Sequence, residues 1–264
     1  MKRIQLVVSY DGTEFCGWAA QTGQRTVQST LREAVRRISG EEIEIVGASR
    51  TDSGAHAKGQ VCHFNSEVNI EPEKWARIMN KVLDPDVAVV SSKQVLETFH
   101  SRFSAQDRFY RYRILTGVRD PIRSRFVHEY GRSLDVPKMH VAAQALQGDH
   151  DFKAFTEELD PGVENTRRTL ISLKVSQNRD EVWVDVVGTA FLRGMMRRIS
   201  GALLETGRGY RPIEEVGRLL GEERNNLQWP VVLPANGLCL MRVRYGRHPK
   251  DNRSGDNRSA SISI

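Results

Sequence analysis

Cysteine is scarce in this sequence: there are three in 264 residues, Cys16, Cys62 and Cys239, far apart and with no C-x-x-C spacing. Such a set indicates neither a disulfide framework nor a thiolate zinc site, and a reducing cytoplasm is the simplest compartment for it. Long apolar runs are missing too. No stretch approaches the roughly 18 residues of a membrane span. Met1-Lys2-Arg3 leads straight into Ile4-Gln5-Leu6-Val7-Val8 with no cleavable apolar region, which predicts a soluble chain. G-x-x-x-x-G-K-[ST] and G-x-G-x-x-G are both absent, so no motif here calls for a nucleotide cofactor. His150, between Asp149 and Asp151, has no second cluster at metal-ligand spacing and reads as a polar turn ahead of a strand or helix.

What is present is globular in composition. Hydrophobic residues at 39% and charged residues at 27% exclude wholesale disorder, collagen and coiled-coil arrays, and the length accommodates one large domain or two small ones. A net charge of +6 is compatible with a polyanionic partner. The excess is concentrated, because residues 102–125 hold seven arginines against two aspartates and residues 191–211 hold five against one glutamate. The rest of the chain is acidic, so the face bearing these segments is expected to be positive and the remaining surface not.

Periodicity organises the chain. Residues 4–8 predict a first strand that stops at the turn Tyr10-Asp11-Gly12-Thr13. Thr26 as N-cap, then Val27, Leu31, Ala34, Val35 and Ile38 at helical spacing with Gly40 as stop, predict an amphipathic helix. Strands are expected at residues 42–47 and 60–64, a helix at 72–79 and a strand at 87–91. The second part predicts a strand at 109–114, a helix at 136–146, strands at 169–175 and 181–187, helices at 191–206 and 213–220, and a last strand at 238–243. Both parts read as strand, helix, paired strands, helix, strand, which suggests a structural duplication with divisions at 1–105 and 106–246. Residues 247–264, rich in Asp, Asn, Arg, Ser and Gly, predict a flexible polar tail, with RNA contact as the sharper alternative.

Three segments carry chemistry-bearing residues. The loop at 48–57 packs Arg50, Asp52 and His56 among small residues that allow close approach, or is simply a turn in which Asp52 accepts neighbouring amides. Residues 102–125 interleave arginine with Phe103, Phe109, Tyr110 and Tyr112, the composition of a surface that binds phosphates and stacks on bases, or of a half-buried strand with a solvated basic face. A strand there puts Tyr110 and Tyr112 on one side and Arg111 and Arg113 on the other. The third segment has Phe191, Met195, Ile199 and Leu203 as an apolar stripe, with Arg193 and Arg197 one turn apart beside it. Arg197 among apolar neighbours needs a carboxylate, for which Asp52 is a candidate. His63 and His100, like His56, have a structural role as their default.

Taken together, these segments resemble the tRNA pseudouridine synthase A family. The matching residues run in order over about 1–246: Tyr10-Asp11-Gly12-Thr13, Gly17-Trp18, Val27-Gln28, Arg50-Thr51-Asp52 with Gly54 and His56-Ala57, Phe99-His100-Ser101-Arg102-Phe103, Tyr110-Arg111-Tyr112, Asp151-Phe152 with Phe155, Phe191-Leu192 with Met195 and Arg197, Pro234, and Gly237-Leu238. The resemblance implies an α+β pseudouridine synthase fold in which two related α/β halves share a continuous, mostly antiparallel sheet with a central basic cleft. It further implies a cytoplasmic homodimer that binds the anticodon stem-loop of tRNA and isomerises uridine to pseudouridine at positions 38, 39 and/or 40, with no cofactor and no metal. A tRNA-binding or RNA-chaperone protein without turnover is the alternative.

The resemblance also assigns roles. Asp52 would be the nucleophile, attacking base or ribose, with Arg197 as its partner and Tyr110 stacked on the base as a general base. Arg50, Tyr110, Arg111, His56 and Arg102 would contact substrate, Arg50 filling the space that a flipped-out uridine leaves. The chain departs from the family with Ala19, Ala20, Ser49 and Ala55, where Gln, a polar or basic residue, Gly and Val are usual. If the glycine of the family at 49 needs a positive φ, Ser49 is strained there.

Overall fold

Alternation along the first strand, β1 (Lys2–Tyr10), buries Ile4, Leu6, Val8 and Tyr10 on one side, as a period of two requires. The structure is a computed structural model and describes residues 1–157 and 165–246. The predicted flexible tail at 247–264 therefore lies outside the described residues.

Helix α1 (Val27–Ser39) starts and stops where its capping residues put it. The Thr26 side chain accepts the Ser29 amide at 3.3 Å, the Ser29 hydroxyl accepts the Thr26 amide at 3.2 Å, and Gly40 closes the helix at φ 73°. Its buried face, Val27, Leu31, Ala34 and Val35, joins the core formed by β1. Strands β2 (Val46–Gly47), β3 (His56–Ser66) and β4 (Val87–Val95), with helix α2 (Trp75–Met79), complete this part. The strand expected at 42–47 shrinks to Val46–Gly47 because side chains replace sheet partners before it: Gln28 Nε2 donates to the Ile45 carbonyl at 2.7 Å.

The later elements are β5 (Ala105–Leu115), β6 (His128–Glu129), α3 (Val136–Gln144), β7 (Gly148–Asp151), β8 (Arg167–Asn178), β9 (Glu181–Gly188), α4 (Met195–Gly207), α5 (Ile213–Arg218) and β10 (Leu238–Tyr245). His150 thus lies in a short strand rather than a turn. The helix expected from 191 begins at Met195, because Gly194 takes a left-handed φ of 68° and interrupts it. Phe191 consequently leaves the helical stripe.

One sheet runs through both parts in the order β4-β1-β3-β10-β5-β9-β8-β7, with β2 on β3 and β6 on β5. All pairings are antiparallel except β10 with β3 and β5 with β6. The β3–β10 seam joins the two parts, through Cys239 opposite His56 and Leu240 opposite Ala57. Because β10 then pairs with β5, setting Leu240 opposite Tyr110, the loop ahead of β3 and the middle of β5 lie one strand apart. This is an α+β fold whose loop at 48–55 and Tyr110 meet across the seam.

Candidate active site

The loop that carries Asp52 is held from both flanks. Tyr10 and Thr51 share a 2.8 Å hydroxyl hydrogen bond, the Trp18 amide donates to the Thr51 carbonyl at 3.1 Å, and the Gly54 amide donates to the Phe15 carbonyl at 3.2 Å. A Cβ at Gly12 would lie 1.9 Å from the Ala55 carbonyl oxygen, so only glycine lets the Tyr10-Asp11-Gly12-Thr13 turn pack here. Ser49 is not strained: Arg179 is the one non-glycine residue at positive φ among the described residues. The departure at 49 instead adds a contact, for Ser49 Oγ lies 2.7 Å from the Tyr110 hydroxyl.

Asp52 meets Arg197, which α4 brings in from 145 residues away, with Oδ2 and Nη1 at 3.3 Å. Arg197 is also fixed by donating from Nε to the Leu233 carbonyl at 2.7 Å and by pairing with Glu157 Oε1 at 3.1 Å. A guanidinium held at several points orients a carboxylate without consuming it, and Asp52 keeps 25% of its side chain exposed. No spacing signal had marked Glu157.

Tyr110 lies 4% exposed, edge-on to Phe191 with ring centroids 4.9 Å apart. The break at Gly194 puts Phe191 in that place. Burial pushes the Tyr110 phenol up to about 12, with the Asp52 charge acting in the same direction and the Ser49 hydrogen bond and Arg108 against it. At neutral pH roughly one phenol in 10⁵ is then ionised, so Tyr110 offers a ring and a hydroxyl rather than a phenolate base.

Arg50 is exposed, two residues before Asp52, and Arg102 is exposed beside Phe103. Two residues expected to contact substrate are placed otherwise. Arg111 projects from the opposite side of β5 to Tyr110, where Asp185 clamps it through two 2.7 Å hydrogen bonds over the Trp183 ring. The period of two in the strand decides this. His56 is 4% exposed and both ring nitrogens are engaged: Nδ1 accepts the Gly12 amide at 2.9 Å and Nε2 donates to the Arg125 carbonyl at 2.8 Å. Burial lowers its pKa, in keeping with a neutral ring that ties the 10–13 turn to residues 125–126.

The positive face is also narrower than the composition suggested. Five of the seven arginines in 102–125 meet carboxylates: Arg111 with Asp185, Arg113 with Glu181, Arg119 with Glu129, Arg123 with Asp180 and Arg125 with Asp11. Among the described residues no three His, Cys, Asp or Glu side chains gather as a metal site, and no helix is long and apolar enough to cross a membrane.

A large, mostly antiparallel sheet that brings a loop carboxylate, an arginine from a distant helix and a buried tyrosine together defines an α+β protein with a candidate catalytic cluster. The family model for tRNA pseudouridine synthase matches residues 6–104 and 142–246. The chain belongs to the tRNA pseudouridine synthase A family, a class of isomerases acting on tRNA.

Similar proteins named tRNA pseudouridine synthase A include one from Shouchella clausii, 39% identical over 94% of this chain and 95% of its own length. Another, from Clostridium kluyveri, is 38% identical over 93% of this chain and its full length. That of Brevibacillus brevis is 39% identical over the same shares. Among solved structures, a chain of a Cbf5-Nop10-Gar1 complex overlaps 89% of this chain and 57% of its own at 10% identity, with a TM-score of 0.33.

Proposed function

We propose that this protein converts uridine to pseudouridine at positions 38, 39 and/or 40 in the anticodon stem-loop of tRNA, with Asp52 as nucleophile and without a cofactor. The observation that carries the reading is the Asp52–Arg197 pair, a partly exposed carboxylate in a loop anchored on both sides and faced by a guanidinium with fixed partners. Asp52 forms a covalent bond to the flipped-out nucleotide, the N1–C1′ bond breaks, the base turns, C5 bonds to C1′, and the bond to Asp52 breaks to return the free carboxylate. C5 then loses its proton and N1 gains one, so atoms and charge balance. Tyr110 supports the turning base with its ring, and Arg197 holds the carboxylate on target.

Extrusion of a stacked uridine costs a few kcal/mol, which protein contacts must offset. Arg50 is proposed to fill the vacated stack, and Arg102 to contact the backbone. The enzyme is further proposed to act as a cytoplasmic homodimer. Its test is release of tritium from tRNA labelled with [5-³H]uridine: the wild type releases label and Asp52→Ala does not, while Asp52→Ala still binds tRNA. Equal release by the two would remove the nucleophile, and no release by either would leave a tRNA-binding protein.

A further inference from the structure

Arg102 and Arg108 are the two arginines of the 102–125 segment with no carboxylate partner among the described residues. Arg108 is 7% exposed, yet its guanidinium meets only carbonyls: Thr189 at 2.6 Å, Arg102 at 2.8 Å, Ala48 at 3.1 Å and Ala105 at 3.5 Å. Carbonyl dipoles hold the group without cancelling its charge.

A third arginine stands at the same place. Arg108, Gly188 and Leu170 are paired across β5, β9 and β8 and therefore share a side of the sheet, the side of Tyr110. Arg168, two residues before Leu170, belongs to it as well. Thr189 links them, since its carbonyl takes Arg108 and its amide donates to the Thr169 carbonyl at 3.1 Å. Arg168 gives Nη1 to the Asn165 and Arg167 carbonyls at 2.9 and 2.6 Å, and its Nε is buried with no hydrogen-bond partner. The nearby acids are engaged elsewhere: Asp149 with Arg167 and Thr169, Asp151 with Thr166 and Arg224. Burial first, and Arg102 next to each, press Arg108 and Arg168 towards losing charge, with Asp107 acting the other way on Arg108. Asp107, next to Arg108 in the chain, is paired with Arg244, so three neighbouring cations without a paired carboxylate among the described residues and one orphaned N–H are costly unless an anion completes the group.

We propose that Arg102 and Arg168, backed by the buried charge of Arg108, form a phosphodiester site that takes one backbone phosphate of the RNA strand whose uridine is delivered to Asp52. The site rests on the tRNA reading above and adds residues to it. Arg108 is two residues from Tyr110 along β5, about 7 Å at the usual rise, so the phosphate lies close to the target nucleotide. An RNA strand rather than a free anion is favoured by Phe103, which is 77% exposed, lies beside Arg102 and is backed by the His100 ring at 4.3 Å. An exposed aromatic beside arginine is a base-stacking surface.

The test uses the full-length protein and a labelled anticodon stem-loop RNA, titrated from 50 to 200 mM salt. Arg168→Gln and Arg102→Gln should each reduce the slope of log Kd against log salt by about 0.7–1, bringing variant and wild-type affinities about threefold to fourfold closer across that range. Arg168→Lys should keep the wild-type slope. A set of RNAs, each with one methylphosphonate linkage near the target, should contain one linkage whose neutralisation weakens the wild type and leaves Arg168→Gln unchanged. Inorganic phosphate should compete no better than chloride at equal ionic strength.

Unchanged slopes in both glutamine variants, equal sensitivity of Arg168→Gln and wild type at every linkage, or specific competition by inorganic phosphate would overturn the site. Tritium release by the wild type is read on the same RNA. Release with unchanged slopes rejects the phosphate site alone, whereas changed slopes without release reject the catalytic reading and leave the site standing. Thermal unfolding near the wild-type midpoint shows that the variants fold.

Discussion

Ser49 and Tyr110, 61 residues apart, share a 2.7 Å hydrogen bond between their hydroxyls. Ser49→Ala leaves a buried phenol without that partner, a loss of about 1–3 kcal/mol. The expected result is a lower midpoint in urea at neutral pH, with tRNA affinity within about threefold of wild type. An unchanged midpoint would show that another group satisfies Tyr110.

Arg197 faces two carboxylates at once, Asp52 and Glu157. Arg197→Gln removes the cation and sets the two acids against each other. Tritium release should fall about a hundredfold or more, the scale seen when a group that organises charge in a reacting site is removed. Arg197→Lys restores charge but not the forked geometry, and should recover only part of the rate. Full activity in Arg197→Gln would separate this arginine from catalysis.

Gly12→Ala tests the packing of the loop that carries Asp52. The new methyl meets the Ala55 carbonyl oxygen at 1.9 Å, and backbone on both sides must move. A cost of about 1–3 kcal/mol is expected, with a fall in tritium release because residue 55 is three positions from Asp52. A variant of wild-type stability and rate would mean that the two turns are not locked together.

Stability should fall with acid before the carboxylates titrate. Burial holds His63 down to about 4, against about 6.5 in the unfolded chain, and lowers His56 in the same direction. Between those values the unfolded chain binds more protons than the folded one. Unfolding free energy is thus complete above about pH 6.5 and declines as pH falls towards 4. Urea midpoints at successive pH values check this, and His63→Gln should flatten the decline. A wild-type midpoint constant from pH 7 to 5 would contradict it.

Much of the frame was legible because local rules settled it. Thr26 and Gly40 cap a helix wherever that helix packs, and alternation put Tyr110 and Tyr112 on the side of β5 opposite Arg111 and Arg113. That same alternation already argued against Arg111 as a partner of Tyr110 at one substrate surface. The need of a half-buried Arg197 for a carboxylate pointed to Asp52, and the two do meet.

Sequence alone therefore determined most of the elements and the family, and named the candidate site residues, since spacing, capping and motif order are properties of neighbouring residues. Only the tertiary structure decided what each of those side chains touches. The β3–β10 seam sets Ser49 on Tyr110, the left-handed Gly194 turns Phe191 out of its helix towards the same ring, and both nitrogens of His56 are spent on backbone. Arg108 shows the reason most plainly. Its partners are carbonyl groups, which every residue possesses, so no residue type in the sequence announces them; the fold brings those of Ala48 and Thr189 from 60 and 81 residues away to a guanidinium that no carboxylate pairs among the described residues.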